Sequence, residues 1–405
     1  MSEKKKKYLD LSMFPKRVEG KLNIYFHISE NSGVGYYRQY LPATKLREKE
    51  LAQVLISDFR WAEGNHVEPD IETLYAIANW ADIIVVGRKD IGNFYAQWGA
   101  IRQYFNVPIV IDTDDNVREV RPTNPGYQGY HPGAEAILWN RYGMAKVFDA
   151  ITVTTQDLYE LHKKDNPKTF ILPNNLDVIH WDSFEKKNHR DDKIRIGMLI
   201  SSAHTEGVYI VKKPILEILE KYPNVEFHVT HVYHQLFNDV SENLKNRIIP
   251  TPWIKLIDWP KSVKELGFDI GLAPLADNYF NRSKSNLRWM ECSLAGMAVI
   301  ASPIRPYLCI EHGVTGFLAK EQSEWKDYIE KLVTDPDLRS QIAKNAHDKV
   351  AVDYDMDKNI TLWDNTYREI HRKFHEFFGP KKHFMVVKDG KNKQYKQVSE
   401  PVEYK

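Results

Sequence analysis

The sequence predicts an α/β protein built from two doubly wound parallel sheets. Apolar segments of strand length alternate with helix-period patterns almost from end to end. This series is interrupted once, by the charged stretch 183–193, after which a second series opens. The length of 405 residues suits two domains. Sheets of this kind bind ligands beyond the carboxyl ends of their strands, so a cleft between the halves is the expected site.

The first half offers strands at 22–28, 52–57, 82–87, 108–112, 150–155 and 169–173. They are short, apolar and rich in β-branched residues, as strands buried on both faces should be. A helix follows Ser32-Gly33-Val34-Gly35, with Pro42 expected to bend it. Further helices are expected near 91–105 and 134–148, separated by a Gly/Pro-rich loop at 122–133. The second half offers strands at 193–200, 225–230, 253–257, 268–273, 297–302 and 315–319, then long helical patterns from 323 to 378. The expected organisation is a basic extension 1–20, a first domain 21–180, a second domain 181–356, a helix 357–378 and a Lys-rich tail 379–405. The tail has few apolar residues and is expected to stay unordered without a partner.

Composition is that of a globular chain, 42% hydrophobic and 27% charged, with a net charge of +1 that sets up no global field toward a polyanion. Charge gathers at the ends: residues 4–7 are all Lys, and 379–405 carries seven Lys against one Asp and two Glu. Such ends suit an anionic surface, or are simply solvated termini. Cys292 and Cys309 form neither a disulfide framework nor a metal-binding spacing, which points to a reducing compartment. No apolar signal region and no run of about 18 apolar residues is found, so the expected location is the cytoplasm.

Four stretches carry candidate chemistry. In 281–302, Ser285 reads as a helix N-cap and Ala295-Gly296 as the helix end. Lys284, Arg288 and Glu291 then fall at i, i+4 and i+7, one stripe about 60° wide. Two cations beside a helix N-terminus suit phosphate, and the carboxylate suits ribose or sugar hydroxyls. The plainer reading is a surface charge network. Gly33, Val34 and Gly35, with Tyr36, Tyr37 and Arg38, open a helix after the first strand, where glycines admit a close ligand or simply make a tight turn. Asp112, Asp114 and Asp115 end a strand, where carboxylates can bind hydroxyls, act as a base, hold a cation or cap the next helix. The segment 201–207 places His204 and Thr205 at the edge of the second sheet, as ligand contact or structural histidine.

These residues resemble a family. The segments Asp269–Pro274, Lys284–Ser302 and Glu311–Leu318 look like the donor half of retaining, two-domain GT-B glycosyltransferases, the family 4 (group 1) type of glycogen- and sucrose-synthase-like enzymes. The resemblance is strong over 193–352 and looser over the first half, through Ser32–Arg38, Asp112–Asp115 and Leu172–Asp177. It implies two Rossmann-like domains facing a central cleft, with helix 357–378 crossing back onto the first. Glu291 matches the second Glu of the family's Glu-x7-Glu element, which holds the nucleotide ribose. Lys284 and Ser285 match donor-phosphate contacts of a Lys-Ser subgroup, and Gly33–Gly35 match the loop facing donor phosphates and acceptor. Asp112–Asp115 fall where relatives place a sugar-contacting histidine. Two features depart from the pattern. Ser283 replaces the first Glu, and 201–207 lacks the usual basic pair, for which Lys284 and Arg288 can substitute.

The resemblance implies transfer of a sugar from a nucleotide-diphosphate sugar, UDP- or GDP-linked, with no tightly bound cofactor and no essential metal. On this reading Asp112, Asp114, Asp115 and Lys284 are the catalytic candidates. Gly33, Val34, Gly35, His204, Lys284, Ser285, Arg288 and Glu291 bind the donor, and Tyr36, Tyr37 and Arg38 the acceptor. The style of the motifs resembles bacterial and phage enzymes, some of which glycosylate hydroxymethylated DNA bases; a surface glycan is the other expected acceptor. A sugar-nucleotide epimerase or phosphorylase, and a non-catalytic sugar- or nucleic-acid-binding protein on the same fold, are the competing classes.

Overall fold

A computed structural model of the chain describes residues 14–28, 30, 32–57, 71–88, 95–201, 204–389 and 392–399. The lysine run 4–7, the start of the helix expected near 91, positions 202–203 and residues 400–405 lie outside the described residues. The chain divides into two compact units. One comprises Met1–Asp114, Glu135–Pro173 and Asp357–Lys405, the other Asp115–Ala134 and Asn174–Met356. The sequence reading had kept 115–134 with the first half.

In the first unit the strands are β1 (Leu22–His27), β2 (Ala52–Ile56), β3 (Ile83–Gly87), β4 (Ile109–Thr113), β5 (Ala150–Val153) and β6 (Thr169–Ile171). They form one parallel sheet in the order β2-β1-β3-β4-β5-β6. One face is packed by Ile77, Trp98, Phe105 and Met144 against Ile84, Ile109, Ile111 and Ile151. The run of β-branched residues in β3 and β4 is buried throughout, as a sheet covered on both faces demands.

The second unit repeats the plan with β7 (Ile194–Met198), β8 (Val225–Thr230), β9 (Ile248–Thr251), β10 (Ile270–Ala273), β11 (Ala298–Ala301) and β12 (Phe317–Leu318). Its order is β12-β11-β10-β7-β8-β9, again parallel. Helices Thr205–Lys221 and Gln322–Thr334 bury Val208, Val211, Ile215, Trp325 and Ile329 against one face of the sheet. Residues 253–257, expected as a strand, are loop and a 3-10 turn instead. The strand lies earlier, in Ile248–Thr251, and Pro250 is accommodated because β9 is an edge.

Two further differences have local causes. The helix after β1 is a turn at Gly33–Gly35, a π-helical turn at Tyr36–Tyr40 and an α-helix at Leu41–Glu48, so Pro42 stands where the π-turn gives way to the α-helix. The expected unordered tail contains an antiparallel hairpin, β13 (His383–Asp389) with β14 (Asn392–Val398). Phe384 packs on Phe105 with ring centres 5.0 Å apart, and its backbone N–H and C=O both bond the Asn79 side chain. Helix Met356–Phe378, from Asp357 onward, belongs to the first unit. Among the described residues no helix is long and apolar enough to cross a membrane.

Candidate functional site

In the second sheet β7 and β10 are neighbours. The chain first builds outward from β7 through β8 and β9, then returns to the other side for β10 to β12. The build direction reverses between β7 and β10, and the crevice beyond their carboxyl ends is where such sheets take ligands. Residues 199–201, His204 and the segment 274–286 border it.

The loop after β7 is pinned from β8 and the turn beyond it. Ile200 N donates to Thr230 Oγ1 at 3.0 Å, His204 N to Tyr233 Oη at 2.9 Å, and Tyr233 Oη to Ser201 O at 2.7 Å. His204 is the N-cap of Thr205–Lys221 but its side chain makes no capping bond, so the imidazole is left for other work. A Cβ at Gly207 would stand 2.6 Å from the Pro274 carbonyl oxygen, so glycine lets this helix begin against the end of β10. In the loop after β10, Leu275 N donates to Ser302 Oγ at 2.9 Å, and Asn278 caps helix Tyr279–Arg282 by accepting from Asn281 N at 2.9 Å.

The charged groups follow. Lys284 Nζ lies 3.1 Å from Asp115 Oδ1 and 4.4 Å from the centre of the Phe280 ring. Arg288, in the first turn of helix Leu287–Leu294, holds the buried Glu291 carboxylate at 2.9 Å. Burial, with Lys284 and Arg288 beside it, pushes the His204 imidazole down to about 3, and Asp115 opposes the shift. Lys284, Arg288, Asp115 and His204 therefore share one electrostatic neighbourhood, in which the imidazole is neutral. Burial pushes the Cys292 thiol up to about 12, which removes it as a nucleophile.

The structure corrects two details of the 281–302 reading. The helix N-cap is Asn286, not Ser285; Ser285 Oγ instead accepts from Asn174 Nδ2 at 2.8 Å. Lys284 precedes the helix, so only Arg288 and Glu291 share its face. Ser283 is buried, donating to Tyr279 O at 2.9 Å and facing Asn116 Nδ2 at 3.4 Å. The helix ends as expected, with Ala295 as C-cap and Gly296 at φ +75°.

The other expected site residues lie in the first unit. Val34 N donates to Ser32 Oγ at 3.2 Å, so Ser32 caps the turn Gly33–Gly35. Gly35 is required there, because a Cβ would meet the Glu30 carbonyl oxygen at 2.1 Å. Tyr36 stacks on Tyr40 at 5.8 Å, and Tyr37 is buried. Arg38 and Asp112, the acceptor and catalytic candidates of the sequence reading, are each other's partners. Nε and Nη2 of Arg38 meet the two Asp112 oxygens at 2.9 and 2.8 Å, with both side chains 1% exposed. Leu172 O, Thr152 Oγ1 and the Trp363 ring stand against the pair. Asp114 stands beyond β4, 3.5 Å from Arg88, which is also 3.8 Å from Glu30. Among the described residues no group of three or more His, Cys, Asp or Glu side chains is placed to hold a metal ion.

No family model matches the sequence, and no curated protein matches it. Solved structures do. HepE of Anabaena, in complex with UDP and glucose, superposes with a TM-score of 0.60 at 14% identity, over 86% of this chain and 99% of that one. This chain has the GT-B fold. Sucrose-phosphate synthase of Thermosynechococcus elongatus gives 0.59 at 12% identity, over 87% of this chain and all of that one. TarM of S. aureus, in complex with UDP and alpha-GlcNAc-glycerol, gives 0.52 at 14% identity over 74% of this chain; the chain spans 59% of TarM's length. At these identities the likeness is one of fold.

The GT-B frame also brings forward residues that the sequence reading passed over. Glu206 accepts from Thr123 Oγ1 at 3.0 Å and from Asn278 Nδ2 at 3.1 Å. Glu30 and Arg88 join Asp114 at the edge of the first sheet. Glu206 lies in the 201–207 stretch beside His204 and was passed over there; Glu30 and Arg88 sit in no motif, and their signal is position, within three residues of the carboxyl ends of β1 and β3.

Proposed function

We propose that the chain is a glycosyltransferase that takes a nucleotide-diphosphate sugar at the carboxyl edge of β7 and β10 and passes the sugar to an acceptor hydroxyl. One observation carries the reading. Lys284 and Arg288, two cations, stand with the buried Glu291 carboxylate at the reversal point of a sheet in a GT-B chain. GT-B proteins solved with UDP or UDP-glucose support it. Lys284 exchanges Asp115 for the donor phosphate, Arg288 adds a second positive charge, and Glu291 accepts from the ribose hydroxyls. The bond from the sugar carbon to the leaving phosphate oxygen breaks with its electron pair going to that oxygen. The acceptor oxygen bonds to the same face of the sugar, and its proton passes to the leaving phosphate. Charge developing on the phosphate is met by preplaced cations, which is the electrostatic contribution a metal would otherwise supply. Retention and family 4 membership rest on the motif resemblance. In the first unit we assign Arg38 and Asp112 to positioning the loop after β1 through their mutual pair. For the acceptor we propose a carbohydrate hydroxyl, with hydroxymethylated duplex DNA as the competitor.

Calorimetric titration with UDP, GDP, ADP, CDP and TDP tests the donor assignment. One diphosphate binds wild type, and Lys284→Ala weakens it about 10- to 100-fold, as expected for one charge-assisted contact. Melting of that variant stays near wild type, because a partly exposed ion pair contributes only about 0–1 kcal/mol. Absence of binding by every diphosphate at millimolar concentration would overturn the reading. Assays with glycan and hydroxymethylated DNA acceptors, using the donor so identified, separate the two acceptor classes.

A further inference from the structure

We propose that Glu206 reads the hydroxyl groups of the transferred sugar, for which Ser283, standing where the resembled family has a glutamate, offers no carboxylate; this rests on the nucleotide-sugar reading of the second unit. Position 283 is a buried serine whose hydroxyl donates to Tyr279 O at 2.9 Å and faces Asn116 at 3.4 Å. It offers no negative charge, and its donor is already used.

A carboxylate is present nearby, from a different element. Glu206 lies in the first turn of helix Thr205–Lys221, two residues past His204, and lines a small depression that opens to solvent. Phe280 lines the same pocket and carries Lys284 Nζ 4.4 Å from its ring centre, so the pocket adjoins the phosphate-binding ammonium. A sugar joined to a phosphate at Lys284 has this pocket beside it.

The pocket chemistry suits a polyol. Each Glu206 oxygen accepts one hydrogen bond, from Thr123 on one side and Asn278 on the other. An ionised carboxylate has about four acceptor directions, so about two remain for hydroxyl donors, with the group already oriented. Arg121, whose side chain no described residue engages, and Asn124 also line the pocket and supply donors to sugar oxygens. His204 lines it as a neutral imidazole, able to donate or accept. The Phe280 ring supplies an apolar surface for the C–H face of a sugar.

The competing role for Glu206 is purely structural, as the staple that holds segment 115–134 through Thr123. Calorimetry with two probe pairs, UDP against UDP-glucose and GDP against GDP-mannose, separates the two on wild type, Glu206→Gln and Thr123→Val. Glu206→Gln is expected to weaken the sugar-bearing probe about 10-fold or more while leaving the bare diphosphate within about two-fold. Thr123→Val, which breaks the staple and keeps the carboxylate, is expected to change neither by more than about two-fold. Equal losses on both probes in both variants, or a Glu206→Gln variant that binds the sugar-bearing probe like wild type, would overturn the assignment while leaving the nucleotide reading intact. Failure of wild type to bind any of the four probes would defeat the nucleotide reading and this one with it.

Discussion

Arg38 and Asp112 are buried, bidentately paired and 74 residues apart in sequence. Removing one partner of such a pair strands the other charge in the interior, so Arg38→Ala should cost about 3–5 kcal/mol, read from urea unfolding. Arg38→Lys should recover little of it, because an ammonium cannot make the fork. His204 supplies a pH prediction. Its imidazole titrates at about 3 in the folded chain and near ~6.5 when unfolded. Between those values the unfolded state binds a proton that the folded state refuses, so stability falls as pH drops from about 6.5 toward about 3. Urea midpoints of wild type and His204→Gln between pH 7 and 4 should show a flatter dependence in the variant. At this scale the sequence was readable where spacing speaks. Helical periodicity put Arg288 and Glu291 on one face, and the structure pairs them at 2.9 Å. It was unreadable where the partner is distant. Nothing local in Arg38 distinguishes a ligand contact from a buried salt bridge, and nothing local in Glu206 points to Asn278, which is 72 residues away.

Among elements, helix Thr205–Lys221 owes its position to Gly207, packed against Pro274 at the end of β10. Gly207→Ala would press a methyl group onto a carbonyl oxygen with 2.6 Å available, and either the helix or the strand exit must shift. The expected cost is about 1–3 kcal/mol in thermal or urea unfolding, with weaker nucleotide binding, because His204 and Glu206 move with the helix. An unchanged melting profile would show that the segment yields freely. Most elements were legible from apolar runs and turn residues: among the described residues, eleven of the twelve parallel strands fall on expected segments, within a few residues at their ends. The exception is β9. Its Ile-Ile-Pro-Thr run is short, and its proline is tolerable only at an edge, which sequence alone does not reveal. The apolar Trp253–Ile257 stretch was the more conspicuous candidate. The hairpin β13–β14 was missed because lysines are scattered through and around its short apolar runs, while its docking rests on Phe384, Phe105 and Asn79, residues far apart in sequence. Ser285 was misread as a cap because Asn174, which claims its hydroxyl, lies 111 residues away.

Over the whole molecule, alternating strands and helices announced two doubly wound sheets, but alternation does not order the strands. The two sheets differ in that respect: the first reverses between β1 and β3, the second between β7 and β10. Strand order therefore decides where a ligand goes, and in the second unit it selects two loops out of six. Amide hydrogen exchange with and without the diphosphate that binds can test this directly. Protection should concentrate in residues 204–210 and 274–291, where Glu206, Lys284, Arg288 and Glu291 reside, because bound phosphate and ribose restrain those loops and the helix starts that follow them. The outer strands β9 and β12, at opposite edges of the same sheet, should exchange as before. Their carboxyl ends are separated from the reversal point by β7 and β8 on one side and by β10 and β11 on the other, at about 4.8 Å per strand. Protection centred on β9 or β12 would place the ligand away from the Lys284–Arg288 pair and leave those cations a structural role.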